Sequence, residues 1–115
     1  MVRISRAVIG VCMMMVTYEV TAAGTGNPAH DALAASPVDV QAYSLGRVVG
    51  DECGGGGESA FFMGMHKRKT AFWSVRCRDG SAFSVQIDPD AKGKTTILEC
   101  SALKKVANID CFKKF

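Results

Sequence analysis

Five cysteines carry the most distinctive chemistry in this chain: Cys12, Cys53, Cys77, Cys100 and Cys111. A thiol can oxidise, ligate a soft metal or act as a nucleophile, and its spacing from other thiols separates these uses. No Cys-x-x-Cys occurs. The last four lie 24, 23 and 11 residues apart, which fits neither a zinc ribbon nor a thioredoxin-type redox site. Structural disulfides are the expectation, provided that Cys12 is removed and the count becomes even. Four cysteines allow three pairings. Cys100 and Cys111 flank what reads as a strand end, a short helix and a return, which would bring them together. The favoured set is therefore Cys100–Cys111 with Cys53–Cys77.

The other candidate groups are sparser. Met63-Gly64-Met65-His66 offers two thioethers and an imidazole, ligands that suit Cu(I) in an oxidising compartment. On a plain strand, Met63 and Met65 would share a face and His66 would point away. His66-Lys67-Arg68-Lys69 is the densest basic cluster and could meet an anionic group. Its plainer reading is a solvated hairpin turn. Lys104, Lys105, Lys113 and Lys114 form a second basic group with the same reading. Phe72 falls on the nominally polar face beside Ser74, as a contact surface or as a partner for the first helix. Gly54-Gly55-Gly56-Gly57 lacks the Gly-Lys-Ser/Thr ending of a phosphate loop and reads as a flexible loop beside a disulfide. His30 and His66 have no evident acid and nucleophile beside them in sequence. Asp88, Asp90 and Asp110 form no calcium-loop pattern. With no reactive constellation and no cofactor implied, the expectation is a non-enzymatic binding module. Copper handling through Met63, Met65 and His66 is the alternative. The binding candidates are Phe72, Lys67, Arg68 and Lys69.

The N-terminus sets the compartment. Arg3 and Arg6 precede an apolar run over residues 7–16, and a polar stretch then ends in Ala22-Ala23. This is the pattern of a secretory signal over residues 1–23, cut after Ala22 or Ala23. Ten apolar residues span about 15 Å as a helix, half a bilayer core, so a stable membrane span is not expected. Cleavage would remove Cys12, Arg3, Arg6 and Glu19, lowering the net charge of +3 by one. So small a charge argues against nucleic acid as a partner. The partner expected is a protein or small ligand of the envelope, met by a periplasmic or secreted domain.

The elements that must position these residues follow from pattern. Residues 24–35 are breaker-rich and read as a mobile arm. The domain then runs over residues 36–115. Ser36-Pro37-Val38-Asp39 is a helix-start signature, and Val38, Ala42, Leu45 and Val49 follow at helical spacing. Gly46 weakens that helix, with a strand through Val38, Val40 and Ala42 as the alternative, and Gly50 can close it. Residues 59–65, 70–78 and 82–88 read as strands, with Trp73, Val75 and Cys77 on one side of the second and Phe83, Val85 and Ile87 on one side of the third. A two-residue loop at Asp79-Gly80 would split these apolar sets between faces. A three-residue loop, Arg78-Asp79-Gly80, pairs Val75 with Phe83 and Trp73 with Val85, uniting them. A further strand over residues 94–100 leads to a short helix capped by Ser101 and ended by Asn108. The fold class is α+β: a small antiparallel sheet of three to four strands, a covering helix, a short C-terminal helix and two disulfides.

Residues 72–93 resemble the hairpin of PepSY-type exported domains. Phe72-Trp73-Ser74-Val75-Arg76-Cys77 leads through Asp79-Gly80 into Phe83-Ser84-Val85-Gln86-Ile87 and then a turn with Asp90 and Gly93. The resemblance covers about a fifth of the chain, and the four cysteines are not part of it. It implies binding or inhibition of a partner. The ending Cys111-Phe112-Lys113-Lys114-Phe115 resembles that of small uncharacterised exported bacterial proteins, a likeness that implies no activity.

Overall fold

The computed structural model describes residues 24–115. The expected signal over residues 1–23, with Cys12, lies outside the described residues. No helix among the described residues is long and apolar enough to cross a membrane. The elements in chain order are α1 (Pro28–Ala34), α2 (Val38–Val49), a short 3-10 turn (Gly50–Glu52), β1 (Gly57–Met65), β2 (Ala71–Cys77), β3 (Ala82–Ile87), β4 (Thr95–Glu99) and α3 (Cys100–Ala107). The four strands form one antiparallel sheet in the order β1-β2-β3-β4. The fold is α+β and disulfide-stapled, by Cys53–Cys77 and Cys100–Cys111.

The central hairpin has the bulged register. Val75 pairs with Phe83 and Trp73 with Val85. The Cys77 amide donates to the Ser81 carbonyl at 2.8 Å, and Gly80, at φ +91°, takes the left-handed position that the loop demands. Asp79 holds the turn. Its carboxylate accepts from the Ser81 amide at 2.9 Å and the Ser81 hydroxyl at 2.6 Å, and these bonds keep it below the usual carboxylate range. Ala71, Trp73, Val75 and Cys77 of β2 thus share a face with Phe83, Val85 and Ile87 of β3, and all seven are buried.

Helix α2 covers this first face through Ala42, Leu45 and Gly46. Val38 departs from the expected stripe: it lies in the first turn and is 79% exposed. Gly46, a weakness by propensity, sits where α2 meets the start of β1, with backbone against backbone at Gly57. Ser36 does not cap α2. Its hydroxyl turns back to the Ala32 carbonyl at 2.9 Å, and Pro37 occupies the cap position.

Residues 24–35 correct the expectation of an arm. They hold α1, whose inner side packs on the sheet beside α2. Asn27 is fully buried. Its side-chain oxygen caps α1 at the His30 amide, and its amide nitrogen donates to the Lys69 and Ile87 carbonyls, each at 2.8 Å. One side chain thus ties α1 to the β1–β2 turn and to the end of β3. Replacing Asn27 by Ala removes the cap and strands two carbonyls, and is expected to cost about 2 kcal/mol. Chemical denaturation with the disulfides intact measures this. A loss below the experimental error would show that α1 is not anchored there.

The second face is covered as well. Ser74 and Ser84 point to it and are fully buried. Helix α3 packs across β3 and β4 and buries Leu103. It starts at Cys100 with Glu99 in the cap position, so Ser101 lies inside the first turn rather than capping it. Asn108, left-handed at φ +55°, ends it as expected. The Cys100–Cys111 bridge then folds residues 108–115 back over β2 and β1.

Candidate functional site

The tail beyond α3 builds the site on the second face. The Phe112 amide donates to the Ser74 hydroxyl at 3.1 Å, and that hydroxyl donates to Met63 Sδ at 2.8 Å. Three residues on, the Phe115 amide donates to the Met63 carbonyl at 3.1 Å. These bonds fix two aromatic rings. Phe112 lies under the Arg76 guanidinium, 4.7 Å from its ring centroid. Phe115 packs edge-on against Phe72, with centroids 5.2 Å apart, and His66 stands at the far side of Phe72 at 6.1 Å.

A bulge in β1 makes this arrangement fit. Phe62 pairs with Trp73 and Gly64 with Phe72, so Met63 is an extra residue that joins Gly64 on the second face. A Cβ on Gly64 would come within 2.8 Å of the Phe115 ring. Only glycine leaves the tail room to cross.

The bulge also undoes the expected methionine cluster. Met63 is fully buried on the second face under Ser74, whereas Met65, opposite Ala71, packs against the core of the first face. The two thioethers therefore do not converge, and His66 stacks towards Phe72 instead. Among the described residues, no group of three His, Cys, Asp or Glu side chains is placed to hold a metal ion.

The basic turn is divided as well. Lys69 is held at φ +65°, and its ammonium donates to the Thr25 carbonyl at 3.3 Å, so it serves α1. Arg68 shares a depression with Asp88 and Asp90. Lys67 stays exposed. Phe72 meets the tail and not the first helix, which correction follows from its place on the second face. The glycine loop is also less free than its composition suggests. Its Gly54 and Gly56 carbonyls accept from the Asp79 and Arg78 amides, each at 3.0 Å, and the Asp79 carboxylate lies against Gly54. The chain's own acid fills the space that an anion would need.

Sequence reasoning missed the tail's part in the surface. Phe61, Phe72, Phe112 and Phe115 lie along one side with Arg76 and Lys114. Lys114 reaches over the edge of β1, its ammonium 4.5 Å from the Phe62 ring centroid and 5.7 Å from that of Phe61. Phe115 remains 59% exposed. Asp110 pairs with Lys104 at 3.1 Å and with Lys113 at 3.8 Å, and the Lys104 ammonium keeps its carboxyl below the ordinary value. The result is a partly exposed aromatic strip flanked by cations. It can bind by burial and charge, and the four described cysteines are all disulfide-bonded.

Comparison with known proteins returns no matching family model, no curated relative and no similar solved structure.

Proposed function

We propose that this chain is an exported, non-catalytic interaction module that docks an acidic partner protein of the envelope on the strip around Phe115. Two disulfides suit an oxidising compartment, and the pattern of residues 1–23 supplies the route there. The PepSY-like hairpin points the same way, towards binding. The observation that carries the reading is Phe115 itself. Its backbone and ring are both fixed, by Met63 and Phe72, yet 59% of it faces solvent beside Lys113 and Lys114. A rigid exposed aromatic loses little entropy on binding, and flanking cations steer an acidic surface towards it.

The test is capture from envelope extracts with the purified protein as bait. A triple variant, K113E/K114E/F115S, is expected to retain at least about tenfold less of the bound partner, and moderate salt is expected to weaken wild-type capture. Equal, salt-insensitive capture by both baits would remove this surface from the reading.

A further inference from the structure

His30 is the one histidine buried in the core face, 3% exposed, with its ring 4.5 Å from that of Phe62 and 5.7 Å from that of Trp73. Its Nδ1 accepts a hydrogen bond from the Trp73 indole Nε1–H at 2.9 Å. That bond fixes the tautomer. Indole N–H is a donor only, so Nδ1 must be unprotonated and the ring proton sits on Nε2. An acidifying medium can therefore add its proton at one place alone, the nitrogen already occupied by Trp73. Once added, two N–H donors face each other and the bond is lost.

We propose that α1 is a proton-released clasp, in which protonation of His30 at Nδ1 breaks its bond to Trp73 and frees residues 24–35 from the sheet. The placement of α1 makes this local. It lies outside both disulfide loops, which begin at Cys53 and Cys100. Besides His30 it is held by Asn27, by contacts of Ala29 and Leu33 with the core, and by the Gln41 amide, which donates to the Leu33 carbonyl at 3.2 Å. Its departure uncovers Trp73. It also widens a cleft of about 160 Å³ that Ala29 and Leu33 line together with Leu45, Val48, Val85 and Ile87.

The charges around the imidazole oppose one another. Burial disfavours its cation most strongly. Asp31, next to it on α1, favours the cation, but that carboxylate already accepts from the Thr25 hydroxyl at 2.8 Å. The Lys114 ammonium from the tail disfavours it. Lys69, from the β1–β2 turn, is engaged at Thr25. Strands β1 and β2 contribute only uncharged rings to its contacts, Phe62 and Trp73. The docked imidazole thus takes its proton below the ordinary value of about 6.5. Above about 6.5 both docked and free forms are neutral and the clasp holds at full strength. As pH falls below that value the free form binds the extra proton first, so docking weakens until the docked ring is protonated too.

Trp73 is the only tryptophan and His66 the only other histidine, which makes the experiment clean. Indole emission and amide hydrogen exchange of residues 29–34 are followed from about pH 7.5 to about pH 5 in the disulfide-intact protein. In wild type and in H66Q the emission is expected to shift to the red. The protection factors of α1 are expected to fall by up to about tenfold per pH unit within the window, while those of β2 and β3 hold. H30Q keeps an acceptor for Trp73 but cannot titrate, and is expected to show neither change. A wild type without the transition, or an H30Q protein that retains it, overturns the proposal. If H30Q fails to fold, an NMR titration of wild type decides. A His30 ring that titrates below about 6.5, together with the Trp73 indole N–H signal, supports the clasp; titration at or above that value sinks it.

Discussion

Replacing Gly46 by alanine is expected to destabilise the protein by about 3 kcal/mol, although alanine is the better helix former by about 1 kcal/mol. Gly46 lies in the last turns of α2, at the point where the helix backbone rests on the start of β1. A Cβ there would fall 2.9 Å from Gly57 Cα and closer still to the Gly57 amide nitrogen. The contact is reciprocal, since a Cβ on Gly57 would come 2.8 Å from the Ala42 carbonyl carbon and run into its oxygen. These are backbone atoms, so no rotamer change relieves the overlap. Either α2 lifts, uncovering Ala42 and Leu45, or β1 bends away from β2. A peptide covering residues 36–50 separates the two effects. The G46A peptide is expected to be more helical by circular dichroism, while the G46A protein unfolds at lower denaturant with an unchanged slope. Greater stability in the folded protein would mean that helix and strand do not approach this closely.

The same glycine shows what could be read from sequence and what could not. A lone Gly in an amphipathic pattern signals either a weak helix or a close approach, and only the partner backbone distinguishes them. Strand positions were legible because alternation and turn residues are local signals. The hairpin register was legible because one loop length alone puts Trp73, Val75, Phe83 and Val85 on one face. Helix α1 was missed for a different reason. Asn27-Pro28 followed by Asp31 is the same start signature as Ser36-Pro37-Val38-Asp39, but it is embedded among glycines and alanines that suggest a linker. Its docking depends on Asn27, His30 and Trp73, residues up to 60 positions from their partners. The β1 bulge was not legible from alternation because the chain that meets it lies 52 residues on, at Phe115. The tail itself carries no period. Its course follows from the Cys100–Cys111 bridge and from bonds to Ser74 and Met63, and no pattern reports those two bonds.

The two disulfides are expected to differ in what they protect. Cys53–Cys77 closes the longer loop, 24 residues in separation against 11 for Cys100–Cys111. Chain entropy alone gives about 3 kcal/mol for each, with the longer loop ahead by about 0.7 kcal/mol. Burial widens the gap. Cys53 and Cys77 belong to the core beside Leu45 and Val75, whereas Cys100 and Cys111 are half-buried at the rim. Substituting both core cysteines by alanine therefore also leaves a void against the sheet. The C53A/C77A protein is expected to lose about 4 kcal/mol, and the C100A/C111A protein about 3 kcal/mol or less. Function is expected to follow the opposite order. Without Cys100–Cys111, Phe112 and Phe115 keep only the two hydrogen bonds of their amides and their ring contacts, and residues 108–115 are free to leave the second face. Partner capture should then fall in C100A/C111A while its core strands keep their exchange protection. In C53A/C77A, the protein that remains folded should still bind. Denaturation curves and capture measured on the same two variants check both orders at once. If the rim bridge proved the costlier one to remove, or if its loss left capture intact, the tail would not owe its place to that bridge.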